Sequence, residues 1–206
     1  MAAARFPLQI GITGGIGSGK SIICKLFACL DVPVYNADSR AKWLTTHSSE
    51  IKNRITELLG GDAYTSDGEY NRTYVASKVF NDPELLSNLN SIIHPAVLTD
   101  TSDWVKKHSS YRYVIKEAAI MNRAGDRNEL DFVVVVEAPM ALRIERILQR
   151  DRREVKEIKS IIDRQVSDEQ RRKIADFTIQ NDESSALIPQ VLELHRKFVG
   201  MNSGNF

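Results

Sequence analysis

Two patterns of apolar residues alternate along this chain. Short unbroken runs rich in β-branched residues, of which "DFVVVVEAP" is the clearest, have the composition of strands covered on both faces. Longer segments repeat apolar residues at helical spacing. Gly19–Leu30, for example, sets Ile22, Ile23, Leu26, Phe27 and Leu30 along a core-facing stripe. Strands are expected at Leu8–Ile12, Pro33–Tyr35, Tyr113–Glu117, Phe132–Val136 and Phe177–Ile179. Their alternation with helices predicts an α/β fold: a five-stranded parallel sheet between two helical layers.

The alternation is interrupted once. Roughly 75 residues separate the second and third strands, far more than a plain crossover needs. They read as helices over Arg40–Thr46, Ser48–Leu59, Arg72–Phe80 and Pro83–His108, the last containing Pro95. A helical insertion of this size in a small α/β chain is a natural place for acceptor specificity. A second helical stretch, highly charged, spans Met140–Lys173.

Composition narrows the function. With 28 Lys+Arg against 27 Asp+Glu, the chain lacks the basic excess of a protein that neutralises many phosphates, so nucleic acid is not an expected partner. No apolar run approaches the ~20 residues of a membrane span, and "MAAARFPLQ" is too short to hold a signal peptide's apolar segment, so a cytoplasmic location is expected. Cys24 and Cys29 are separated by about 7.5 Å of helical rise on different faces, beyond disulfide reach. They are expected to be buried or half-buried free thiols.

The chemistry begins in "GITGGIGSGKS". Gly14, Gly19, Lys20 and Ser21 fit G-x-x-x-x-G-K-[ST] between a strand and an amphipathic helix. Glycines there let successive backbone N–H groups turn toward phosphate oxygens, and the helix N-terminus adds its dipole. Lys20 is expected at the β- and γ-phosphates, with Ser21 as an oxygen ligand for Mg²⁺. No N-K-x-D, D-x-x-G or LSGGQ-type signature accompanies the loop, which argues against a GTPase or a transporter ATPase. Asp38 falls just past the second strand, where an open parallel sheet gathers its ligands. A carboxylate there suits a hydroxyl acceptor, whose proton must be taken up; it would equally serve as a helix cap. Arg143, Arg146 and Arg150 share one helix face, as a phosphoryl clamp or as a solvated ion-paired row.

Together these pieces resemble the dephospho-coenzyme A kinase family: "GITGGIGSGKS", "VPVYNAD", "DGEYNRTYVASKVFND", "LNSIIHP", "RIERILQRD", "DRQVSDEQ" and "ADFTIQND", in this order, from Gly11 to about Leu194. The resemblance implies a P-loop nucleotide-kinase fold of one chain, 1–206. Its core covers about 6–38, 111–139 and 174–200, with an acceptor-binding insertion at about 39–110 and a lid at about 140–173. It also implies phosphorylation of the ribose 3′-hydroxyl of dephospho-coenzyme A, using ATP and Mg²⁺. On the donor side it implicates Gly14, Gly15, Ile16, Gly17, Ser18, Gly19, Lys20 and Ser21, with Arg146 and Arg150 from the lid and Asn181 near the adenine. The base falls on Asp38, and Asn36 stands where the family has its first Asp. Arg72, His94 and Pro95 match the acceptor side, and Glu117 ends its strand beside the phosphate loop. One segment departs: "EAAIMNRAG" has Asn122 and Arg123 where the family has Phe and Glu. Another P-loop kinase for a hydroxyl acceptor such as a nucleoside, or a catalytically silent ATP-binding protein, are the alternatives.

Overall fold

The computed structural model describes residues 7–126, 128–151 and 153–201. In chain order the elements are β1 (Leu8–Thr13), α1 (Lys20–Cys29), β2 (Val34–Asn36), α2 (Ala37–His47), α3 (Ser49–Leu59), α4 (Arg72–Val79) and α5 (Pro83–Lys107). There follow β3 (Tyr113–Glu117), β4 (Phe132–Glu137), α6 (Met140–Arg150), α7 (Val155–Asp163), α8 (Asp168–Lys173), β5 (Phe177–Gln180) and α9 (Leu187–Gly200). Two compact units result, one made of the chain up to Asn36 and from Val105 onward, the other of Ala37–Trp104.

The first unit is built on a parallel sheet in the order β2-β3-β1-β4-β5. Period-2 alternation distributes its side chains between two cores. Ile10, Ile12, Ile115, Val134 and Val136 meet Ile23, Cys24 and Phe27 of α1 and Val191, Leu194 and Phe198 of α9. Val133 and Val135 point the other way, toward Leu130, Met121 and Ile174. Two covered faces explain why the apolar run of β4 is unbroken, and each such side chain contributes about 1.5–3 kcal/mol of burial. Gly11 serves the second core. A Cβ there would collide with the Met121 sulfur and lie 2.8 Å from Leu130 Cδ1, so the bare strand lets the β3–β4 loop pack across it.

The Ala37–Trp104 unit has its own core, in which Ile51, Ile55 and Leu59 of α3 meet Val75 of α4 and Leu89 and Ile92 of α5. Ser48 caps α3 by accepting from the Ile51 N–H, and Asn71 caps α4 by accepting from the Tyr74 N–H at 3.2 Å. Ser48 is thus the cap and not the first helical residue. Burial pushes the Tyr64 hydroxyl of this unit up to about 12.

Several sequence expectations are corrected. Ile22 is 48% exposed, while Cys24 is buried in the α1 stripe, because the sheet-facing residues are 23, 24 and 27. Cys29 is exposed, contrary to expectation, and both thiols are free. The charged stretch after β4 holds three helices, α6, α7 and α8, where one helical stretch was expected. Asp38 is not the α2 cap: the helix begins at Ala37, which places Asp38 inside the first turn.

Candidate active site

The loop between β1 and α1 closes around backbone groups. Gly17 and Gly19 take positive φ values of 78° and 92°, a region costly for any residue with a Cβ. Close packing makes further demands. A Cβ on Gly14 would lie 2.5 Å from the Val136 carbonyl oxygen, one on Gly15 would strike the Arg143 guanidinium, and one on Gly19 would strike the Asn181 amide. The loop is held against β4, α6 and the segment after β5. Lys20, opening α1, turns back to donate to the carbonyls of Gly14 at 2.9 Å and Gly15 at 3.4 Å.

Beside this loop lies a pocket of about 200 Å³ lined by Gly19, Lys20, Ser21, Glu117, Arg146 and Arg150, among others. Three cations and one carboxylate line it, a charge pattern that would suit a multiply charged anion. Glu117, at the carboxyl end of β3, accepts from the Asn36 side-chain amide at 2.6 Å, and the two residues are in register across β2 and β3. An amide at position 36 gives Glu117 a donor where a second carboxylate would repel it. Burial, followed by the Glu117 carboxylate, pushes the Cys24 thiol far above its ordinary range.

The arginine row divides by burial. Arg146 donates to the Asn181 carbonyl at 3.2 Å, to the Asn181 side-chain oxygen at 3.1 Å and to Glu183 at 3.3 Å. Asn181 in turn donates to the Ser18 carbonyl at 2.8 Å, so one amide ties the arginine to the phosphate loop. Arg150 is 62% exposed and pairs with Asp151 at 2.8 Å; this hydrogen bond raises the guanidinium and lowers the carboxyl from their ordinary values. Arg143 is neither a solvated residue nor part of the pocket face. It is 2% exposed, and its Nε donates to the Ile16 carbonyl at 2.9 Å. Nothing in the arginine spacing distinguished it from its neighbours; what sets it apart is its contact with Gly15, Ile16 and Gly17 of the phosphate loop, which only packing resolves.

Sequence reasoning missed what surrounds Arg143. Asp168 accepts from Arg143 Nη1 at 3.0 Å and from Arg171 Nη1 at 2.5 Å, and Gln165 accepts from the Ile16 N–H at 2.9 Å. Burial lowers the Arg171 guanidinium below its ordinary value, with the Asp168 charge opposing.

The structure therefore brings the loop residues 14–21, Glu117, Arg146, Arg150 and Asn181 together in one unit. Asp38, Arg72, His94 and Pro95 belong to the other. Asp38 is exposed in the first turn of α2, Arg72 opens α4 and is exposed, and His94 is exposed on α5. Pro95 lines a pocket of about 390 Å³ in that unit with Leu44, Ile92 and Asp100; Arg72 and His94 are not among its lining residues. Asn122 and Arg123 are exposed in the β3–β4 loop, directly after Met121, which packs on Gly11. No group of three or more His, Cys, Asp or Glu side chains suited to a metal occurs among the described residues. Magnesium suits this donor set even so, since it keeps several waters and takes few protein oxygens, here the exposed Ser21 hydroxyl and the Glu117 carboxylate. Among the described residues no helix is long and apolar enough to cross a membrane.

A 2-3-1-4-5 parallel sheet, a glycine loop and lysine after its central strand, and cations from the helix after β4 define a P-loop kinase. More closely, the chain belongs to the dephospho-CoA kinase family, whose model matches residues 8–186. It is 37% identical over 187 residues to a dephospho-CoA kinase of Bacteroides fragilis, covering 91% of each chain. In fold it is similar to a solved Thermus thermophilus protein, with a TM-score of 0.81 at 24% identity over 97% of this chain and all of that one. A dephospho-CoA kinase from Campylobacter jejuni superposes with a TM-score of 0.62 at 20% identity, covering 94% and 98% of the two chains.

Proposed function

We propose that this kinase transfers the γ-phosphoryl group of ATP to the ribose 3′-hydroxyl of dephospho-coenzyme A. The observation that carries the reading is the pocket where Lys20, Ser21, Glu117, Arg146 and Arg150 meet, in a chain whose family match spans residues 8–186. The helical unit Ala37–Trp104 takes the acceptor, with Arg72, His94 and Pro95 contributing contacts, and α6 to α8 form the lid.

In the proposed step Asp38 accepts the proton of the 3′-hydroxyl as its oxygen attacks the γ-phosphorus. The bond from that phosphorus to the β,γ-bridging oxygen breaks, and ADP leaves carrying the electron pair. Lys20 turns from the Gly14 and Gly15 carbonyls to the phosphates, so its ammonium meets charge that develops at the bridging oxygen. Arg146 and Arg150 face the transferring group, and Asn181 sets the position of Arg146 against the loop. Mg²⁺, when bound, neutralises phosphate charge; Ser21 and Glu117 would hold it or its waters. Catalysis of this kind rests on positioning and charge stabilisation.

The test is ADP release with ATP, Mg²⁺ and either dephospho-coenzyme A or a panel of nucleosides, with the product's phosphate placed by phosphorus NMR. Turnover with dephospho-coenzyme A and a new 3′-phosphomonoester are expected. Turnover with nucleosides alone would assign a different hydroxyl acceptor, and no turnover with any acceptor would reject the transfer.

A further inference from the structure

The phosphate loop of this protein is held from outside by the segment that follows α7. Both polar groups of the Ile16 peptide unit pair are engaged: its N–H donates to Gln165 Oε1 at 2.9 Å and its carbonyl accepts from Arg143 Nε at 2.9 Å. The holders are themselves joined. Arg143 Nη1 reaches both Asp168 oxygens, at 3.0 and 3.1 Å. Arg171 bridges the same Asp168 at 2.5 Å to Gln165 at 3.4 Å. Arg143 and Arg171 are 2% and 4% exposed, so the two donors are shielded from water, while the Asp168 carboxylate they share is partly exposed. Gly15 and Gly17 also pack on Arg143, the second with a hypothetical Cβ only 2.6 Å from the Arg143 carbonyl oxygen. Among the described residues Arg143 Nη2 is buried without a hydrogen-bond partner, beside Gly15, where a Cβ would strike it.

From this geometry we infer that Gln165 and Arg143, joined through Asp168 and Arg171, are positioning residues for nucleotide binding. They fix the Ile16 backbone at the apex of the loop so that its neighbouring N–H groups stay turned toward the phosphates. Neither residue is placed to touch the nucleotide in this reading; each acts through the Ile16 backbone. The same bonds fasten the start of α8 to the phosphate loop. This inference rests on the nucleotide-binding reading of the loop and not on the identity of the acceptor.

Gln165 gives the discriminating pair of variants, because it is half-buried in a turn and its replacement leaves the core intact. Gln165→Glu keeps an acceptor for the Ile16 N–H and for Arg171; Gln165→Leu keeps the size and removes both. ADP binding by calorimetry on the full chain, without acceptor, is read beside the melting temperature and the KM of each substrate. Gln165→Leu is expected to raise the ADP Kd by about threefold to tenfold, the range that losing one peptide hydrogen bond gives. Gln165→Glu should stay within about twofold of the parent, and the acceptor KM should be unchanged in both. Arg143→Met should show the same loss of ADP affinity in whatever fraction folds. A Gln165→Leu protein with the parent's ADP Kd, or one that only melts earlier, would overturn the inference while leaving the kinase reading intact. So would a Gln165→Glu protein as weak as Gln165→Leu. A parent protein that binds no ADP would overturn both.

Discussion

Asp38 and Cys24 illustrate what single residues contribute. The carboxylate of Asp38 lies inside the first turn of α2, where it also favours the helix through the dipole, so a change there must separate chemistry from helix stability. Asp38→Asn keeps the size and removes the base. Its kcat is expected to fall by roughly 10²- to 10⁴-fold with little change in KM for ATP, read by steady-state kinetics beside a melting curve. A kcat within a few-fold of the parent would reject Asp38 as the base. Cys24 is buried against Glu117 and its thiol is held protonated, whereas Cys29 is exposed on the same helix. A thiol reagent should therefore modify one cysteine in the native protein and two in denaturant, with Cys29 identified by peptide mapping. Rapid native labelling of Cys24 would contradict the packing of α1 on the sheet.

At the scale of the element, the β3–β4 loop carries the departure from the family pattern. Met121 anchors it over Gly11, and the next two side chains, Asn122 and Arg123, are exposed. The loop is tightened internally by Asn128, whose amide donates to the Arg123 carbonyl at 2.8 Å and whose oxygen accepts from the Leu130 N–H at 2.9 Å. Both contacts use backbone atoms of the loop, so changing the 122 and 123 side chains leaves them in place. Asn122→Phe with Arg123→Glu is expected to lower the acceptor KM by a few-fold, up to about tenfold, as an aromatic contact of ~0.5–1.5 kcal/mol is regained. KM for ATP should stay nearly constant. A change confined to ATP or Mg²⁺ dependence would assign the segment to the donor side.

For the whole molecule, nucleotide binding and stability are linked through the unit that holds the phosphate loop. A ligand at about 100 times its Kd stabilises the folded state by about 2.7 kcal/mol. For a chain of 206 residues this corresponds to a rise in Tm of about 5–10 °C. Scanning calorimetry with saturating ADP and Mg²⁺ should show it, and Lys20→Ala should lose most of the shift while its ligand-free Tm stays near the parent's. An equal shift in Lys20→Ala would mean that the nucleotide binds away from the loop.

The central strands β1 and β4 were legible because burial on both faces demands unbroken apolar residues, and all five strands were located to within one or two residues. The phosphate loop was legible because backbone coordination of an anion needs glycines at fixed offsets from Lys20 and Ser21. Local patterning also announced the long helical insertion, though not that Ser48 and Asn71 would be caps. The roles within the arginine row were not legible. Arg143, Arg146 and Arg150 differ little as sequence, yet one is buried under Gly15, one is bonded to Asn181 and one is exposed beside Asp151. Gln165 and Asp168 lay in the quoted stretch "DRQVSDEQ", with no role assigned to either. What separates these residues is their distance from chain segments up to 149 positions away, as in the bond from Ile16 to Gln165. Period and spacing report only on near neighbours along the chain, so the strands and the loop were determined by the sequence itself. Which polar side chains hold that loop in place was decided by tertiary packing, because a buried hydrogen bond depends on what the fold brings within 3 Å.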